Sequence, residues 1–130
     1  RPQFSHQGSS LFLQEFPNRV IGIDENERNT MGDRFFQILV GKEQGCNTAT
    51  QFIGNIPKSK AVAHRHLYEE SLIIVSGEGC MWTESVKTDV GSGDVIFLPK
   101  KQSHSLEATC EEGLVVAGVI YPGDNPSINY

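Results

Sequence analysis

The 130-residue sequence predicts an all-β fold of antiparallel strands. Three observations lead there. Its apolar residues fall in strand-length runs rich in Val, Ile, Phe and Thr. The 13 glycines and 6 prolines punctuate those runs instead of separating long periodic ones. No window of about 12 residues or more keeps the three-four apolar spacing of an amphipathic helix. Without helices, parallel βαβ crossovers are excluded, which leaves an antiparallel sandwich or barrel.

Taken in chain order, residues 1–33 read as an N-terminal arm with leading strands. Its first ten residues are polar, and His6 among them is given no role. Residues 11–16 and 20–23 are short apolar pieces broken by Pro17-Asn18, and the polar run 24–33 reads as an exposed loop. The regular barrel is expected over 34–121. Its strands should be 34–40, 49–56, 61–64, 71–76, 79–83, 94–98, 103–108 and 113–121, about eight in all, bounded by Gly41, Asn47, Pro57, Gly77, Gly91, Gly93 and Pro99. Residues 122–130 form a polar tail with two prolines.

Composition excludes some function classes. The net charge is −5 and only Lys100-Lys101 are adjacent among the basic residues, so no basic face stands ready for a nucleic acid. No apolar stretch approaches the roughly 20 residues of a membrane span, and the N-terminus lacks the order of a secretory signal. Cys46, Cys80 and Cys110 are odd in number and far apart, which suits small buried thiols in a reducing cytoplasm. The sequence starts at Arg1, as a processed, trimmed or partial chain would.

Metal-ligating residue types fall at telling places. His64 and His66 are two apart, so in an extended strand they share a face and Arg65 points away. Glu70 keeps that parity if the strand continues; alternatively Leu67-Tyr68-Glu69 turns and brings the next strand alongside. His104 follows a loop at 99–102 and supplies a third imidazole from a neighbouring strand. The same parity turns Leu72 and Ile74 inward. Ile73 and Val75 then face outward and need a cover, from the N-terminal strands or from a second subunit.

The segment HRHLYEESLIIVSG, His64 to Gly77, resembles the first cupin motif of two histidines, a glutamate and a closing glycine, with every spacing kept. GDVIFLPKKQSH, Gly93 to His104, looks like the second motif, with its glycine, proline and last histidine. Three positions depart from the pattern: Lys58 and Lys101 stand where glycines are usual, and Ala108 where asparagine often ends the second motif. None is a ligand position, but the loop shape at Lys101 is put in question. The resemblance implies a small jelly-roll β-barrel, the double-stranded β-helix, holding one divalent transition metal (Fe, Mn, Ni or Zn) through His64, His66, Glu70 and His104. In the motif the ligand is Glu70, and Glu69 is its solvated neighbour. Cupins also frequently pair through an outer sheet face, which implies a homodimer around Ile73 and Val75. The sequence is similar, too, to one half of two-cupin proteins, in which a phrase like YPGDNPS closes a barrel.

Three imidazoles and one carboxylate leave about two positions free on a six-coordinate ion. The site then carries a net positive charge that attracts small anionic or carbonyl-bearing molecules. Gln51, Tyr68 and Trp82 are candidates for the substrate pocket. Lys101, with Lys100, is a candidate for its rim or else a solvated turn. Cys80 shares strand parity with Trp82 and is not assigned as a ligand. An open-site metalloenzyme (oxygenase, lyase, decarboxylase or isomerase) is the leading reading, with Glu70 a possible proton carrier if it loosens from the metal. The other is a module that binds or senses a small ligand without turning it over.

Overall fold

The computed structural model describes residues 20–123. Among the described residues there are ten strands: β1 (Asn29–Met31), β2 (Arg34–Val40), β3 (Thr50–Ile56), β4 (Ser59–Lys60), β5 (Glu69–Ser76), β6 (Glu78–Thr83), β7 (Val86–Gly91), β8 (Val95–Leu98), β9 (His104–Ala108) and β10 (Leu114–Tyr121). They form a six-stranded sheet in the order β1-β2-β3-β10-β5-β8 and a four-stranded sheet in the order β4-β9-β6-β7. Every pairing is antiparallel. No named strand belongs to both sheets, so the jelly roll is two facing sheets and not one continuously bonded ring.

Period-two alternation decides what lies between them. On β5, Leu72 and Ile74 are buried while Ile73 and Val75 are 41% and 48% exposed, as the parity argument requires. Leu72 and Ile74 join Ile56, Met81, Leu98, Leu106, Leu114 and Val116 in a single core. Burying each such side chain contributes about 1.5–3 kcal/mol before the entropy of ordering is charged against it.

Among the described residues the strands number ten, not about eight, and three segments differ from expectation. β1 lies inside the polar run read as a loop: its residues are mostly exposed, and its pairing with β2 rather than apolar burial makes it a strand. β7, VKTDVG, has almost no buried side chains and forms the outer edge of the smaller sheet, where strands need no apolar face. Residues 61–64, expected as a strand, hold only an isolated bridge from His64 to His104, and the paired residues are Ser59 and Lys60 just before.

The leading residues from 20 on are tied to the barrel. The buried Gln37 side chain accepts from the Asp24 N–H at 2.9 Å and donates to the Gly22 carbonyl at 3.1 Å. Asp24 then caps a short 3-10 turn over Glu25–Glu27. The apolar piece 11–16, His6 and the tail beyond 123 lie outside the described residues.

Candidate metal centre

His64, His66 and His104 come together from both ends of the two motifs. Reciprocal backbone hydrogen bonds of 2.9 Å join His64 to His104, and the Lys101 N–H donates to the His66 carbonyl at 2.8 Å. These bonds pin the 64–66 segment against the loop that leads into β9. The ring centroids form a near-equilateral triangle: 4.8 Å from His64 to His66, 4.5 Å from His64 to His104, and 4.8 Å from His66 to His104. One ligating atom from each ring lies within 4.8 Å of the others.

Backbone carbonyls set the tautomers. His64 Nδ1 lies 3.1 Å from the Val62 carbonyl and His104 Nδ1 lies 3.0 Å from that of Gln102. A carbonyl only accepts, so each Nδ1 carries a proton, which leaves Nε2 as the nitrogen that a neutral ring would offer to a metal. Burial first, then the hydrogen bond to Gln102 acting in the opposite sense, and the neighbouring His64, His66 and Arg34 charges, bring the His104 pKa down to about 4. At neutral pH His104 is therefore a free base with its donor nitrogen towards the other rings.

Glu70 arrives by a different route. β5 begins only at Glu69, so Leu67 and Tyr68 carry the chain from the side of β9, in the smaller sheet, into the larger one. Of the two routes left open by the sequence, the turn is the one taken. The Glu70 Oε1 stands 3.6 Å from His66 Nε2, with 12% of the side chain exposed. Burial pushes its carboxyl up to about 7, because the apolar wall disfavours the anion. Glu69 does not line the cavity.

The four residues border a cavity of about 530 Å³ between the sheets, lined also by Tyr68, Leu72, Met81, Leu98, Phe36 and Phe52. The three imidazoles form a cluster that could hold a metal ion, Glu70 lies against it beside His66, and the open side leaves room for a ligand.

The other sequence-derived candidates divide. Tyr68 lines the cavity, buried and stacked on His66 with centroids 4.5 Å apart, and its hydroxyl pKa is raised by burial and then by Glu70. Gln51 does not line it: Phe52, Gly54 and Ile56 face inward on β3, so Gln51, of opposite parity, is exposed on the outer side. Met81 is the inward residue of β6, which turns Trp82 outward. There its Nε1–H donates to Glu107 at 2.9 Å and its ring lies under Lys60 Nζ at 3.8 Å. Cys80 shares that outer face and lies 3.3 Å from an Asp89 carboxylate oxygen. Lys101 is exposed and away from the cavity, with φ of 67° in the left-handed region that its usual glycine would take freely. Arg34 was missed. It shares a face with Phe36 on β2 and lines the cavity, and that parity was the available signal.

A curated relative, an uncharacterised protein of Methanocaldococcus jannaschii, is 32% identical over 65 residues, 49% of this chain. The chain spans about half the length of that relative, 52%. Among solved structures, the EutQ protein of Clostridium difficile matches with a TM-score of 0.65 and 17% identity, over 81% of this chain and 83% of that one. A mutant of the oxalate decarboxylase OxdC of Bacillus subtilis matches with a TM-score of 0.69 and 19% identity, over 79% of this chain and 29% of that one. A cupin 2 conserved barrel domain protein of Rhodopseudomonas palustris matches at 0.64 and 17%, over 84% and 71%. At these identities the structures show a shared fold. The cupin domain family model matches residues 55–120, which include both motifs and all three clustered histidines, and the chain belongs to the cupin family.

Proposed function

We propose that the chain is an open-site metalloenzyme that holds one divalent transition metal, Fe, Mn, Ni or Zn, through His64, His66, Glu70 and His104, and acts on a small polar or anionic molecule. The observation that carries this reading is the triangle of imidazoles, two with Nδ1 facing backbone carbonyls, at the wall of a cavity of about 530 Å³. When bound, the metal supplies a Lewis acid that polarises an oxygen-bearing substrate. The chain's own groups do the rest. Glu70 balances part of the charge, Tyr68 fixes the His66 ring plane, and the apolar wall excludes water and strengthens the electrostatics inside.

The free thiols of Cys46, Cys80 and Cys110 support a reducing, cytoplasmic setting. The exposed apolar face around Ile73 and Val75 supports a homodimer.

Protein loaded separately with iron, manganese, nickel and zinc and offered keto acids, diketones, thiols and uronic sugars should consume oxygen or release product with at least one metal. Replacement of His66 by Ala should abolish that turnover. Tight ligand binding without turnover under every metal would instead identify a binding or sensing module.

A further inference from the structure

Arg34 is a charged group of the cavity wall apart from the histidines and Glu70, with Asp33 and Lys60 also lining that wall. Its Nη2 donates to the Leu106 carbonyl on β9, and its buried Nε has no hydrogen-bond partner. The carboxylate beside it, on Asp33, stands 3.9 Å from Nε, and its side chain is 60% exposed against 16% for Arg34. An exposed carboxylate at that distance is a weak countercharge. Burial lowers the Arg34 pKa, with Asp33 opposing, yet a guanidinium does not lose its proton in a protein. The wall therefore holds a cation that neither water nor a close anion fully compensates, which is unfavourable unless an anion joins it.

Its position relative to the histidines follows from the strand. Leu106 is two residues beyond His104 on β9 and both line the cavity, so the guanidinium is tethered about 7 Å along the strand from His104. Asp33, Lys60 and Tyr68 also line the cavity, and much of the remaining wall is apolar, made by Phe36, Phe52, Met81, Leu98 and Val116. Such a wall offers few partners for the many hydroxyls of a sugar.

We propose that Arg34 determines the specificity of the cavity, and that its ligand is an organic acid with an apolar carbon body, carboxylate on the Arg34 guanidinium and opposite end towards the histidines. The inference rests on the metal-centre reading only for that opposite end, because the anchor is the chain's own.

The test is calorimetric titration of hexanoate and of its neutral counterpart hexanamide into chelator-treated and zinc-loaded protein. Hexanoate should bind the metal-free protein more tightly than hexanamide by about tenfold or more. Arg34→Met should lose that advantage, bringing hexanoate down to the level of hexanamide, and Arg34→Lys, which keeps the charge without the fork, should fall between. Equal binding of acid and amide by the unmutated protein, no binding of either, or full acid affinity in Arg34→Met would overturn the proposal and leave Arg34 as a strut between the sheets. Zinc uptake separates the two readings. Protein that takes up zinc but does not prefer the acid refutes the Arg34 proposal alone, whereas an Arg34-dependent preference for the acid without zinc uptake refutes the metal reading alone.

Discussion

At the scale of single residues, the site depends on holding ionisable groups in their uncharged forms until a cation arrives. Glu70 shows the cost. Its pKa is about 7 in the fold against an ordinary 4.5, so below pH 4.5 the carboxyl is protonated in both folded and unfolded chains and contributes nothing. Between pH 4.5 and 7 the unfolded chain ionises while the folded one stays protonated, so the folded state is penalised progressively, by about 3 kcal/mol once both are ionised above 7. In chelator-treated protein, Glu70→Gln should therefore be the more stable form by about that amount at pH 8, with the difference vanishing towards pH 4.5. Urea unfolding across this range checks it, and a difference that does not change with pH contradicts it. His104 pulls in the opposite direction, its folded pKa of about 4 lying below 6.5, so it costs stability as pH falls. That effect is common to both proteins and cancels in the comparison. The cluster of His64, His66 and His104 was legible in the sequence because their spacing and residue type carry the chemistry. Gln51 and Trp82 were misplaced, and Arg34 missed, because which face of a strand is inward depends on its partners. Phe52 and Met81 settle that only once the sheets are formed.

The elements show why motif glycines accompany the ligands. Gly77, which closes the first motif, has φ of 97°, and a Cβ there would overlap the Gly113 carbonyl oxygen. Gly93, which opens the second, has φ of 91° but open space around it. Replacing Gly77 by Ala should cost about 3 kcal/mol or more, from overlap and backbone strain together. The same change at Gly93 should cost roughly 1–2 kcal/mol from strain alone. Denaturant midpoints of the two variants give the comparison directly, and equal losses would show that the close approach at Gly77 does not matter. β2, β3, β5, β6 and β10 were readable to within two residues, since each presents a buried apolar face. β7 and β1 were not. An edge strand that pairs on one side and buries little carries almost no pattern, and its only cause is the partner strand.

At the scale of the whole molecule, the outer face of the larger sheet is exposed among the described residues. Ile73 on β5 pairs with Val95 on β8, and with Val75, Phe97, Val119 and Tyr121 they leave a broad apolar surface. Two copies meeting on that face would bury it twice over. Light scattering should give a mass near twice 14.4 kDa, and Ile73→Glu should return it to the monomer without loss of metal. A mass near 14.4 kDa for the unmutated protein at high concentration contradicts the dimer.

Whether three imidazoles and a carboxylate share one ion is decided by elemental analysis of protein purified without a polyhistidine tag. One equivalent of a divalent transition metal per chain, falling to trace levels in His66→Ala while the variant keeps its β-sheet spectrum, is the predicted result. Metal-supplemented protein that binds none, or a His66→Ala variant that retains a full equivalent, would contradict it.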